Sequence, residues 1–158
     1  MADENMIIKA KKIYDDLCRM LDSKDWKYDK DEEKLRIYFN AMGEDLPMNF
    51  ILVVDANRQL IRLLSPMPYK IPENKRLDLA IATCAATYSM ADGSFDYDIE
   101  DGSIFFRLTA SFRESTIGDG LFEYMIYCSG AMVDKYNDKF FAIGKGILEL
   151  TDFLKEEY

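Results

Sequence analysis

The chain contains no histidine in 158 residues. That absence excludes Ser-His-Asp and Cys-His nucleophile systems, histidine-based zinc sites and imidazole acid/base pairs within the chain. Cysteine is scarce as well. Cys18, Cys84 and Cys128 are far apart, odd in number and form no CxxC, which supports neither a zinc knuckle nor a thioredoxin-type pair. Their apolar neighbours predict buried free thiols, a set suited to a reducing compartment. Positive charge is in deficit: 20 basic residues stand against 29 acidic ones, for a net charge of −9 and a pI near 4.6. A nucleic-acid backbone or an anionic bilayer needs a basic face, so neither is expected as a partner. Long apolar runs are missing too. The longest uncharged stretch, residues 79–91, is short of a bilayer span and rich in Ala and Thr. Residues 1–12 carry acids and lack the apolar core of a secretion signal. The expectation is a soluble, cytoplasmic protein.

What is present is globular in balance, 49% apolar and 31% charged, with the length of one domain. The expected unit is residues 1–158, with 144–158 a C-terminal helical extension. Met6, Ala10, Ile13, Leu17 and Leu21 recur at helical spacing and predict an amphipathic helix over roughly residues 4–22. Trp26 and Tyr28, then Leu35, Ile37 and Phe39, alternate with polar residues and read as half-buried strands. Residues 50–54 are apolar on both faces, as in a central strand. A turn at residues 55–58 leads to a strand at 60–64. Pro66, Pro68 and Pro72 remove three backbone donors, so residues 65–72 are expected outside any ladder. Pro72-Glu73 looks like the first turn of a second helix, whose apolar stripe would be Leu77, Ile81, Cys84, Ala85 and Tyr88. Phe95, Tyr97 and Ile99 predict a strand, Asp101-Gly102 a hairpin turn, and Ile104, Phe106 and Leu108 the return strand. A third helix starts near Ile117 and runs to Tyr136. The fold class is therefore α+β: an antiparallel sheet of five or six strands with three main helices, in the order α, β meander, α, β, β, α.

No segment carries recognisable catalytic chemistry. Asp96, Asp98, Glu100 and Asp101 fail as a calcium loop, because Asp101 stands where glycine is needed and Arg107 where glutamate is needed; the strict alternation makes them the solvent side of a strand. Gly118-Asp119-Gly120 lacks the third glycine of a dinucleotide turn, and Gly144-Lys145-Gly146 lacks P-loop spacing, so a helix start and a helix break fit them better. Arg62, Arg107 and Arg113 could bind an anion, although arginine stems covering a sheet face are the commoner arrangement. No catalytic, metal-ligating or cofactor-binding residue is expected.

The third helix has an unusually wide apolar face. At about 100° per residue, its apolar positions from Leu121 to Tyr136 spread over an arc of about 220°, where packing on one sheet needs about 100°. The excess predicts a protein interface made by Leu121, Phe122, Met125, Ile126 and Val133. Its occupant would be a second copy of the chain or, within one chain, the helix carrying Ile147, Leu150 and Leu154. Nine methionines add adaptable apolar surface.

Residues 92–98 (Asp-Gly-Ser-Phe-Asp-Tyr-Asp) and 101–107 (Asp-Gly-Ser-Ile-Phe-Phe-Arg) resemble the YbjN-like family of bacteria. So do Ser65-Pro66-Met67-Pro68, residues 71–76 and residues 134–138, and the resemblance extends from about Trp26 to Tyr136. It implies a fold similar to type III secretion chaperones, which commonly dimerise, and a label of sensory-transduction regulator that is an association rather than an activity. Many relatives have asparagine near the end of the second helix, where this chain reads Thr87-Tyr88-Ser89. The expected function is that of a non-enzymatic cytoplasmic protein-binding module of chaperone or adaptor type, acting on an unidentified protein and as a homodimer. The alternative is a small-molecule-sensing regulator or a histidine-free hydrolase. An open apolar groove would favour the first, and a deep pocket of converging Arg and Asp/Glu side chains the second.

Overall fold

In the computed structural model, which describes residues 1–158, helix α1 (Glu4–Ser23) starts at Asp3, whose carboxylate accepts the Met6 N–H at 2.8 Å. A meander follows: β1 (Asp29–Asp31), β2 (Arg36–Met42), β3 (Pro47–Asp55) and β4 (Leu60–Lys70). A 3-10 turn at Glu73–Lys75 opens α2 (Arg76–Tyr88), then come β5 (Ser94–Tyr97), β6 (Ser103–Ser111), α3 (Asp119–Gly144) and α4 (Leu150–Glu157). The six strands form one antiparallel sheet in the order β1-β2-β3-β4-β6-β5. The expected class stands, with a fourth helix where a terminal extension was expected. Phe153 of α4 is fully buried and belongs to the same core as Ala10 of α1 and Leu52 of β3.

The helices cover one face of the sheet only. Ile37, Phe39, Phe50, Leu52, Ile61, Leu63, Phe106 and Leu108 point into the core, and the alternate side chains face solvent. β3 sits in the interior of the sheet, as its apolar run predicts, but no second layer covers its outer side. Instead, the register sets Val53 between Arg36 and Arg62, and Ile51 between Tyr38 and Leu64. Long stems of flanking residues keep Val53 only 9% exposed.

Five expectations about the fold need correction. Trp26 and Tyr28 are not in a strand: the Tyr28 hydroxyl donates to Asp22 at 2.8 Å and ties the segment back to α1, leaving β1 three residues long. The proline-rich segment does enter the ladder, since β4 runs through Pro66 and Pro68. Beyond Leu64, β4 has lost β3 and pairs with β6 alone. Pro66 thus sits on a local edge, and Pro68 falls in the register shift between Pro66 and Lys70.

The second helix buries a face turned away from the one expected, the two sharing only Ala85. Leu79, Ala82, Thr83, Ala85 and Ala86 turn inward, while Leu77 (73% exposed), Ile81, Cys84 and Tyr88 (80%) face solvent. Small side chains let α2 lie close to α3 and β5, and close approach outweighs side-chain size in deciding which face is buried.

The proposed interface of the third helix is core. Phe122, Met125, Ile126 and Val133 are at most 5% exposed, and only Leu121 (37%) reaches the surface. The wide arc is absorbed within the chain, because α3 has neighbours on several sides. The sheet lies beneath it, and α1 is tied to it by Arg19–Asp119 (3.3 Å) and Lys24–Glu123 (3.1 Å). α2 packs along a third side. Phe153 of α4 stands 6.1 Å from Phe140 and 6.4 Å from Tyr136, ring centre to ring centre. The helix expected from Ile147, Leu150 and Leu154 thus does fold back, although Ile147 itself is exposed.

The β5–β6 connection is wider than the two-residue turn expected. The Asp98 N–H bonds the Ser103 carbonyl, and the Gly102 N–H the Asp98 carbonyl. Gly102 has φ +77, and a Cβ there would come within 2.3 Å of the Ile71 carbonyl oxygen. The pair is closed by Ile71 N–H to Gly102 O at 2.9 Å. Gly102→Ala therefore combines a left-handed backbone with a backbone clash and should cost about 1–3 kcal/mol, read from the midpoint of chemical denaturation with an unchanged slope.

Candidate functional site

Between the outer edge of α3 and the far ends of β2 and β3 lies an open groove of about 250 Å³. Trp26, the only tryptophan, leaves α1 and places its ring edge-on to Phe39 (5.3 Å) and Tyr127 (6.3 Å). Phe39 stacks on Phe50 at 5.0 Å. Met42 and Met48 extend this wall, and Gly130 with Ala131 forms the low stretch of α3 that leaves the trough unfilled. Met42 is 73% exposed and Tyr127 57%, so large apolar surface is already in water. At one end the Asp134 carboxylate accepts the Glu44 N–H at 2.8 Å and pins the β2–β3 turn to α3. Glu44 and Asp134 make no ion pair, which leaves that end of the groove acidic.

Sequence alone did not find this site. Its walls come from a linker, two strands and a helix separated by up to about a hundred positions, and in the sequence only the lone Trp26 marks it. Of the residues expected at an interface, Ile126 lines the groove floor; Phe122, Met125 and Val133 lie beneath it in the core. The second exposed apolar surface is the outer stripe of α2, continued by Tyr158, whose ring centre is 6.3 Å from that of Tyr88. The Tyr124 hydroxyl donates to Asp92 at 3.2 Å, linking α3 to the end of α2, and hydrogen bonding with Cys128 and Asp92 pushes its pKa up to about 12. Thr87 and Ser89 act as local ties: Thr87 accepts the Phe95 N–H, and Ser89 joins Tyr136 and Glu157 in a polar cluster linking α2, α3 and α4.

The charged candidates are largely spent on one another. Arg62 and Arg107 share the open sheet face with Arg58 around a hollow of about 440 Å³, whereas exposed Arg113 lies beyond the end of β6. Asp96 holds Arg107 through two bonds (2.6 and 3.1 Å), and Asp55 is shared by Arg58 and Arg62. Asp98 caps the Glu100 N–H. Asp101 is held by Lys70 and Ser103, which keep its carboxyl well below the usual carboxylate range. Gly118 caps α3, and Asp119 pairs with Arg19. None of the cysteines is fully buried, contrary to expectation. Cys84 is exposed, and Cys18 is half-buried with its thiol pKa raised, chiefly by desolvation.

The family model YbjN, described as "Putative bacterial sensory transduction regulator", matches residues 14–142. The chain belongs to the YbjN family. The crystal structure of YbjN from E. coli superposes with a TM-score of 0.55 at 12% identity, covering 77% of this chain and 86% of that one. A chain of the HopA1-SchA chaperone-effector complex superposes with a TM-score of 0.50 at 15% identity, covering 89% and 98%. Both are likenesses of fold, and they give this YbjN-family chain the type III secretion chaperone-like architecture. No curated protein sequence matches it. No helix is long and apolar enough to cross a membrane.

The division of α3 into a buried and an exposed face has a direct test. Val133→Asp puts an unpaired carboxylate into the core and should cost more than about 4 kcal/mol, enough to prevent folding. Tyr127→Ala on the outer edge should stay within about 1 kcal/mol of wild type. Circular dichroism and urea titration of the two variants separate them.

Proposed function

We propose that this YbjN-family chain is a non-enzymatic cytoplasmic module that holds a segment of another protein, in the manner of a chaperone or adaptor. The observation that carries the reading is the open aromatic groove between α3 and the β2–β3 hairpin, with Met42 and Tyr127 exposed beside Trp26. The regulator label of the family and the chaperone-effector title of one fold relative are in keeping with it. Glu44 and Asp134 at the rim, together with the net charge of −9, give the partner its chemistry: apolar anchors followed by basic residues. A lysine-flanked peptide with Leu and Phe anchors should change the emission of Trp26 saturably, and a glutamate-flanked version should not. Loss of that response in Met42→Asp/Tyr127→Asp supports the groove. An unaltered response in the double variant, or none in wild type, sinks it.

Self-association belongs in this reading on α2 rather than α3. Residues 79–91 are uncharged, so the α2 stripe offers two acidic copies a contact whose centre carries no charge. Covering Leu77, Ile81 and Tyr88 contributes about 1.5–3 kcal/mol for each large side chain fully buried, before association costs. Light scattering at micromolar concentration should give twice the chain mass, and Ile81→Asp should return it to 18.3 kDa with the fold intact. Mild oxidation should cross-link the dimer through Cys84, which is exposed near the middle of the stripe. A wild-type particle of monomer mass would end the proposal. The small-molecule-sensing alternative draws on a separate feature, a cationic cleft at the C-terminal end of α3.

A further inference from the structure

Where the start of α2 meets the end of α3, the chain encloses a cleft of about 310 Å³. Its position is fixed by backbone. α3 ends in a left-handed cap at Gly146 (φ +71), with Gly146 N–H bonded to Ile143 O at 3.0 Å and Ile147 N–H to Ala142 O at 2.8 Å. This pair of bonds stops the helix and projects Lys145 over the opening. The opposite side is built by the irregular end of β4, held to the β5–β6 loop through Ile71 and Gly102.

Three cations converge there in a chain that is acidic overall: Lys70, Arg76 and Lys145. Lys70 is neutralised by Asp101, whose carboxylate is further occupied by Ser103. The other two have no carboxylate partner. Arg76 donates to the backbone carbonyls of Ile71 and Glu100. Those two bonds fix the plane of the guanidinium and leave N–H groups unspent, since the group carries five donors. Lys145 rests over the Phe141 ring at 5.5 Å and has no anionic contact. The apolar wall is Phe141 with Tyr69, ring centres 5.2 Å apart, and the Tyr69 hydroxyl is turned away to Asn137 O at 2.5 Å.

We infer that this cleft is a binding site for a small organic anion: one oxyanion group, carboxylate or phosphate, on a compact apolar or aromatic body. A held guanidinium and a mobile ammonium form a two-point clamp for the oxyanion, and charge-assisted bonds of this kind are the strong ones. The Tyr69–Phe141 wall takes the body, and the volume lies at the small end of ligand pockets, about 300–1,000 Å³. The open-face arginines are a poorer site, because Asp55 and Asp96 already occupy them. The inference is independent of the protein-binding groove, which lies on other residues, and either can fail alone.

The test is titration of the full chain with inorganic phosphate and, separately, with benzoate, followed by backbone amide shifts. Saturable shifts at Gly102, Gly144, Lys145 and Gly146 are expected with at least one probe. The tighter of the two identifies the oxyanion's source, a phosphate ester or a carboxylic acid. Lys145→Gln removes one charge-assisted contact and should weaken binding about tenfold; lying exposed past the helix end, it tests the site even if Arg76→Gln fails to fold. Arg58→Gln on the open sheet face should change nothing. Shifts that do not saturate with either probe, or a Lys145→Gln affinity equal to wild type, would overturn the site.

Discussion

A helix of 26 residues laid across one face of a six-stranded sheet sets the terms for everything else in this chain. α3 is apolar over more of its circumference than the sheet can cover, so it must be enclosed by α1, α2 and α4. The short side chains of α2, the ion pairs from α1 and the aromatic stack reaching Phe153 all serve that enclosure. Phe140, Tyr136 and Phe95 form its densest part, with ring centres 4.9 to 5.7 Å apart.

The two candidate sites lie at different points along α3 because each point leaves a different gap. Near its middle, Gly130 and Ala131 are too small to fill the space beside Trp26 and Phe39, and an apolar trough remains. At the C-terminal end the helix stops against a backbone bulge, and the gap is closed by cations. The first gap is walled by aromatic and methionine side chains, while the second is lined by Lys70, Arg76 and Lys145.

The sequence made the order of elements legible, since most changes of hydrophobic period mark a real boundary, and the six antiparallel strands fall within the five or six expected. It was less informative about faces. α2 has apolar residues all round, so pattern alone picks the larger side chains, whereas packing against α3 selects the smaller. The arc of α3 is visibly too wide for one sheet, yet what covers it is set by three helices whose docking is tertiary. Pro66 and Pro68 look incompatible with a ladder until the register shows that β4 is an edge at that point. The groove was invisible because its residues share a location and no motif.

The strand order also decides how this protein does not associate. The two outermost strands, β1 and β5, are also the shortest, at three and four residues. An edge of that length offers few unpaired backbone groups to an incoming strand, which guards against runaway polymerisation. The short outer strands narrow these edges without closing them, since β2 beyond Tyr38 and β6 beyond Arg107 keep an unpaired outer side.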